Sequence, residues 1–278
     1  MVSISLITHR DKPLLRLCAA AVALVLSASA SAAPACSGTI YLTFDTGSQS
    51  QARLVADTLR QHHAKATFFL ANEKTVRGDY SLDPSWAPFW KMLHDEGHAF
   101  GSHTFDHVYA LRDLDGGRIE VRPQFGPQAG KKLGWTPGDY CSELRRVDHR
   151  FRELTGFPLD PLWRAPGGKL TPATLAAGQA CGYAHVGWAP AGFSGDELSS
   201  ERVSNAALLK RALDGLRDGD IFVAHLGIWS RKDPWAPAVL EPLLSGLEQK
   251  GFCFATLREH PDYRTKVSRP AASTENHQ

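Results

Sequence analysis

Seven short runs of apolar, β-branched and aromatic residues recur along the chain, at 39–44, 66–70, 99–102, 162–164, 184–188, 221–224 and 252–257. Between them lie segments with helical periodicity, at 51–63, 88–96, 142–155, 172–181, 205–217 and 238–249. Strands alternating with helices of this length predict βα units and a mainly parallel sheet, either closed as a barrel or open and doubly wound. Local signals mark several helix ends. Thr171-Pro172 reads as N-cap and first turn, and Ser204-Asn205 as a cap. Asp139 and Ser142 open the helix that stops before Gly156, and Gly219 ends the one at 205–217. Three stretches break the rhythm: 73–87, 108–140 and 226–237. The middle one is long enough to be a functional loop or a small subdomain.

The first 32 residues are set apart by their pattern. Arg10, Lys12 and Arg16 precede an apolar run at 17–26, and Ala30-Ser31-Ala32 follows as a small-x-small cleavage signal. The run is too short to span a bilayer, so residues 1–32 read as a signal peptide and the product as secreted or periplasmic, with no membrane association after cleavage. Of the 278 residues, 246 then remain, enough for one large α/β domain or two small ones. Removing three basic residues and Asp11 leaves 28 basic and 28 acidic residues. A neutral chain with no basic stripe gives no reason to expect nucleic acid as a partner. Cys36, Cys141, Cys181 and Cys253 survive cleavage. An even number in an exported chain allows two disulfides in three pairings, and no CxxC suggests a structural zinc site. The tail at 264–278 is polar and is expected to be disordered.

Chemistry gathers at the ends of the predicted strands. Asp45 follows the first, His103 the third, Arg164 the fourth, Trp188 the fifth and His225 the sixth. In parallel α/β architectures these ends share one side, where sites are built. His103 and His107 stand four apart, a spacing that puts two imidazoles on one face of a helical turn and lets both grip one cation. Asp45 reads either as a helix cap or as a carboxylate able to deprotonate water beside a metal. Arg164 is placed to hold it ionised. The turn Ala165-Pro166-Gly167-Gly168 leaves backbone N–H groups free for an oxyanion. His225 reads either as a satisfied core histidine or as an acid for a leaving amine. Trp86, Trp90, Trp229 and Trp235 are candidates for sugar stacking or for ordinary packing.

Thr43-Phe44-Asp45-Thr46-Gly47, Ala66-Thr67-Phe68-Phe69-Leu70, the run from Gly97 to His107, Arg164-Ala165-Pro166-Gly167-Gly168 and Val223-Ala224-His225 together resemble the ordered motifs of the polysaccharide deacetylases. This is the NodB-homology group, or carbohydrate esterase family four, and the resemblance spans about residues 38–260. It implies a single-domain distorted (β/α)7 barrel over 33–263. It implies Asp45 as base, Arg164 as its orienting partner and His225 as acid. His103 and His107 would bind a divalent metal, expected to be Zn²⁺. The Gly167 N–H would face the oxyanion, Val223 would line the acetyl-methyl pocket and Trp188 would form an aromatic wall.

Two positions depart from the family pattern. Thr46 stands where a second aspartate usually supplies the third metal ligand, and a hydroxyl is a poorer ligand than a carboxylate. The alternatives are an ion held by the two histidines and waters, a set completed by Asp106 or another carboxylate, or weak binding. Gly167 stands where a tyrosine is common, which predicts a wider or less aromatic floor, and Asp196 is the candidate support for His225. With the first and last barrel strands adjacent, Cys36 pairs with Cys253. Cys141 and Cys181 flank the fourth strand and pair with each other. The expected activity is N-deacetylation of N-acetylglucosamine units in chitin, peptidoglycan or an exopolysaccharide, by a monomer. The alternatives are an O-acetyl esterase on xylan-like glycans and a non-catalytic carbohydrate-binding protein.

Overall fold

The computed structural model describes residues 36–267, with positions 1 and 3 besides. The signal-peptide reading for 1–32 therefore falls almost wholly outside the described residues, as do positions 268–278 of the expected tail. Residues 36–267 form one compact unit. The start of the tail is a correction. Arg264–Val267 is a short helix, continuing a chain of turns in which Tyr263 and Arg264 both donate backbone N–H groups to the His260 carbonyl.

All seven expected barrel strands form. They are β1 (Gly38–Asp45), β2 (Ala66–Leu70), β3 (Ala99–Ser102), β7 (Leu162–Trp163), β8 (Ala184–His185), β9 (Ile221–His225) and β10 (Phe252–Phe254). Their pairings are parallel and run β10-β1-β2-β3-β7-β8, with β9 also on β1. Among the described residues no ladder joins β8 to β9. The segment 189–194 bridges that gap, with Ala189 N–H donating to the Ile221 carbonyl (3.0 Å) and Ser194 N–H to the Val223 carbonyl (3.1 Å). The approach is tight at Gly192, where an added Cβ would lie 2.1 Å from the Ile221 oxygen. The result is a curled parallel sheet, the distorted barrel expected.

The helices α1 (Ala52–Gln61), α2 (Ala87–Asp95), α3 (Pro137–Thr155), α4 (Pro172–Ala180), α5 (Asn205–Gly215) and α6 (Trp235–Gln249) alternate with the strands. Thr171 and Ser204 cap α4 and α5 through their hydroxyls. Helix α3 begins five residues before its expected start. Thr136 and Asp139 form a reciprocal capping box around Pro137, which satisfies free N–H groups of the first turn. Helix α5 ends at Gly215, before Gly219.

Between β3 and α3 the chain builds a second, antiparallel sheet of β4 (Val108–Asp113), β5 (Ile119–Pro123) and β6 (Leu133–Trp135). Val108, Ala110, Ile119 and Val121 face inward and pack with Tyr140, Leu144 and Trp163. The irregular stretch 108–140 is thus largely a small sheet on its own apolar patch.

Both expected disulfides form, Cys36–Cys253 and Cys141–Cys181. The first fixes the start of β1 to β10, where Thr39 lies in register with Cys253. It closes a sequence separation of 217 residues against 40 for the second. Chain-entropy reasoning gives each about 2–5 kcal/mol, the larger share for the longer loop. Thermal unfolding of Cys36→Ser/Cys253→Ser is therefore expected to show the greater loss of Tm. Equal or inverted losses would contradict this ranking.

Candidate active site

Side chains alternate across a strand, so residues two apart share a face. On β1, Ile40, Leu42 and Phe44 join the core packed against the helices. Tyr41, Thr43 and Asp45 turn the other way, into the barrel. On β9, Phe222 and Ala224 face the helices while Ile221, Val223 and His225 face inward. Asp45 lies in register with His225 on one side and Phe69 on the other. Convergence of the strand-end residues is thus a consequence of pleat and register.

Asp45 is 3% exposed, and its Oδ1 accepts from Arg164 Nη1 at 2.8 Å. Burial alone would raise its pKa. The Arg164 guanidinium, with His103 and His225, outweighs that penalty and holds the carboxyl below its ordinary range. Arg164 is itself fully buried. It also donates to Thr43 Oγ1 (2.8 Å) and to the carbonyls of Val186 and Gly187 (3.3 and 3.2 Å), and it lies 4.3 Å from the Phe69 ring centre.

His103 and His107 do come together, with ring centres 5.0 Å apart, but not on a helix. They flank a turn in which Thr104 and His107 both have positive φ, 58° and 49°. The His103 Nδ1 lies 3.0 Å from the Arg164 carbonyl, which can only accept. Nδ1 therefore carries the proton. Burial, reinforced by His107 and Arg164 against the opposing pull of Asp45, lowers the ring's pKa to about 3 and keeps it neutral. Its Nε2 lone pair then faces Asp45 Oδ2 at 3.6 Å. The His107 Nδ1 is buried with no hydrogen-bond partner. Two electron-pair donors facing each other, beside an unpartnered imidazole nitrogen, suit a cation. Among the described residues no three His, Cys, Asp or Glu side chains already stand at coordinating distance.

On the opposite side His225 is braced by Asp196, which accepts from its Nδ1 (3.0 Å) and its backbone N–H (2.7 Å). Burial works against the charged ring. The charge and hydrogen bond of Asp196, with Asp45 and Glu197 behind them, push its pKa up to about 10.

Gly167 adopts φ +61°, and its N–H takes no part in the turn's hydrogen bonds, which run from Gly168 to Ala165 and Lys169 to Pro166. The expected wider floor is not formed. A Cβ on Gly167 would lie 3.1 Å from the Tyr109 ring, so an aromatic from β4 fills that space. Trp188 packs beside Gly168 and lies 5.6 Å from the Arg164 guanidinium, and Val223 is buried on the inner face of β9.

Two weaker candidates are engaged elsewhere. Asp106 bonds Arg146 at 3.1 Å, and its backbone N–H donates to Glu143. The Thr46 hydroxyl accepts from Ala71 N–H and donates to Glu73 Oε1 at 2.6 Å. Trp86, Trp90 and Trp235 are core residues, whereas Trp229 is 59% exposed. Sequence reasoning missed Glu73, Tyr109 and Thr43.

The family model described as polysaccharide deacetylase matches residues 32–186, and the chain belongs to that family. It is 26% identical over 226 residues to a peptidoglycan-N-acetylglucosamine deacetylase of Bacillus cereus, covering 81% of this chain and 89% of the relative. It is 25% identical over 228 residues to a chitooligosaccharide deacetylase of Azorhizobium caulinodans, covering 78% and 92%. Among solved structures, a family 4 acetyl xylan esterase from Clostridium thermocellum, in complex with a cobalt ion, shares the fold. Its TM-score is 0.60 at 18% identity, covering 82% of this chain and 92% of that one.

Removing Arg164 would leave a buried carboxylate without its cation, a loss of about 3–5 kcal/mol. Arg164→Leu is therefore expected to unfold at much lower denaturant than the parent. Asp45→Asn/Arg164→Leu should recover part of that difference. A single mutant of parental stability would show that the pair does not hold the barrel together.

Proposed function

We propose that the protein removes N-acetyl groups from N-acetylglucosamine units of an extracellular polysaccharide, with Asp45 as base and His225 as acid. The observation that carries the reading is the pairing of each group with its own counter-charge, Arg164 for Asp45 and Asp196 for His225. One relative is named as a peptidoglycan-N-acetylglucosamine deacetylase and the other as a chitooligosaccharide deacetylase, and both match most of the chain, which favours an amide over an ester substrate. Peptidoglycan, chitin and exopolysaccharide are the candidate polymers.

Asp45 Oδ2 is the carboxylate oxygen not taken by Arg164, and it receives the proton of the attacking water. The Gly167 N–H donates to the oxyanion as the acetyl carbon becomes tetrahedral. Val223 and Trp188 provide apolar and aromatic surface for the acetyl group and sugar. His225 gives a proton to the departing nitrogen, since an amine anion is too poor a leaving group to depart unprotonated. His103 and His107 would hold a divalent cation, Zn²⁺ by their imidazole chemistry, which supplies Lewis acidity toward the carbonyl and a lowered pKa for water. The signal-peptide pattern and the two disulfides support export. No helix among the described residues is long and apolar enough to cross a membrane.

Asp45→Asn and His225→Ala are each expected to lose roughly 10²–10⁴-fold in turnover, and circular dichroism will verify that both fold, Asp45→Asn with reduced stability because it leaves the buried Arg164 without its counter-charge. Acetate release from chitooligosaccharides, peptidoglycan fragments and acetylated xylan, with and without chelator, measures this and fixes the substrate. Release from xylan alone would replace the amide reading with the ester one. No release from any glycan would leave a binding protein.

An acid with a pKa near 10 is protonated through neutrality and loses its proton as pH rises through that value. The alkaline limb of kcat/KM should accordingly lie well above pH 7, and Asp196→Asn should move it toward neutrality. An unmoved limb would show that His225 is not the group titrating there.

A further inference from the structure

Gly167 and Gly168 are consecutive glycines, both in the left-handed region, at φ +61° and +64°. A glycine pair has no side chains to hold it and is the freest backbone from which a turn can be built. That freedom works against a hydrogen-bond donor for an oxyanion, whose value lies in being in place beforehand. The turn has two backbone bonds of its own, Gly168 N–H to the Ala165 carbonyl (3.0 Å) and Lys169 N–H to the Pro166 carbonyl (3.1 Å). Where its side chains would stand there are two aromatic rings. A Cβ on Gly167 would lie 3.1 Å from the Tyr109 ring, and one on Gly168 would lie 3.0 Å from the Trp188 ring.

Tyr109 is itself firmly placed. Val108 and Ala110 are buried in the apolar patch of the antiparallel sheet, so alternation along β4 turns Tyr109 the other way, toward the glycine turn. The strand starts from the histidine turn, where Val108 N–H donates to Thr104 Oγ1 (2.7 Å). Arg122, the register partner of Tyr109 on β5, has its guanidinium 5.8 Å from the ring centre, and Lys169 Nζ lies at 5.4 Å. Both are within the range of cation–π attraction. Lys169 thus closes the turn with its backbone and meets the Tyr109 ring with its side chain, which joins ring and turn a second time.

We propose that Tyr109 is a positioning residue of the deacetylation: its ring, brought in by the antiparallel sheet, holds Gly167 and Gly168 still and so fixes the Gly167 N–H before the oxyanion forms. The inference rests on the oxyanion role given to Gly167 above. It gives the β4–β6 sheet a part in turnover as well as in packing. A ring that only stacked on the sugar would stabilise ground state and transition state alike, whereas a ring that fixes the donor acts where charge develops.

Steady-state kinetics on chitooligosaccharides and peptidoglycan fragments separate these roles. Tyr109→Ala should lose about 10-fold or more in kcat, short of the roughly 10²–10³-fold for outright loss of an oxyanion donor. Its KM should stay within about 2-fold of the parent. Tyr109→Phe keeps the ring and should recover the lost kcat. Gly167→Ala sets a methyl group against the ring, so it should cost less on the Tyr109→Ala background than on the parent. A second measurement needs no substrate. The Gly168 and Lys169 amides, followed by NMR hydrogen exchange, should exchange at least about 10-fold faster in Tyr109→Ala, with those of β1 unchanged. A raised KM at parental kcat, a Tyr109→Phe as slow as Tyr109→Ala, additive losses or unchanged exchange would each overturn the positioning role and leave the deacetylase reading intact. A parent chain that releases acetate from no glycan overturns both.

Discussion

An ionised aspartate inside a barrel is tolerable only if a cation is buried with it, and the Arg164–Asp45 contact meets that condition. The pair is also a strut. Asp45 and Thr43 lie on β1, Arg164 leaves β7, and the carbonyls of Val186 and Gly187 that receive its remaining N–H groups follow β8. One guanidinium therefore ties three strands across the interior. Its planar fork suits this task, because several acceptors in fixed directions leave it one orientation. The same orientation aims one carboxylate oxygen at Arg164 and leaves the other facing His103. Fold stability and the direction of the Asp45 carboxylate are properties of a single contact.

The two places where the chain departs from its family's motifs are each filled from a neighbouring segment. Gly167 has no side chain and a left-handed backbone, and Tyr109 from β4 occupies the space above it. A tyrosine at 167 and Tyr109 in its present position exclude one another. Thr46 is uncharged, and Glu73 from the end of β2 brings a carboxylate within hydrogen-bond reach of its hydroxyl. In both cases the donor segment is fixed to the histidine turn: β4 starts directly after His107, and Asn72 bonds Phe105.

Much of this was legible in the sequence because parallel strands impose a rule that needs no coordinates. Asp45, Arg164 and His225 end strands, and pleating turns them inward. The disulfides followed from strand order. The failures have equally specific causes. Strand β2 ends in Leu70, so a search of strand ends found nothing there, and the carboxylate lay three residues on. The four-residue spacing of His103 and His107 suggested a helix, but two residues with positive φ make a turn that brings the rings together differently. The strands β4 and β5 carry charged residues at Arg112, Asp113, Glu120 and Arg122 and are parted by Gly116 and Gly117, so their alternation did not rise above a loop. Pro137 and its capping box went unread, and α3 was started late.

The proposed acid and base sit on adjacent strands in direct register, Asp45 opposite His225. Left alone, a carboxylate and an imidazolium that near would pair, and neither would be free to react. Private partners prevent this, as Arg164 satisfies the aspartate and Asp196 the histidine. The consequence is that base and acid are held in their working forms at one pH, with pKa values driven apart. That arrangement has a cost for the base. A carboxylate below its ordinary pKa is too weak to take a proton from bulk water at a useful rate. Under the proposed mechanism the chemistry would call for a water more acidic than bulk, which a divalent cation held by the neutral His103 and His107 would supply. On that reading, the strength of the Arg164 pair and a requirement for a metal would follow from the same electrostatic choice.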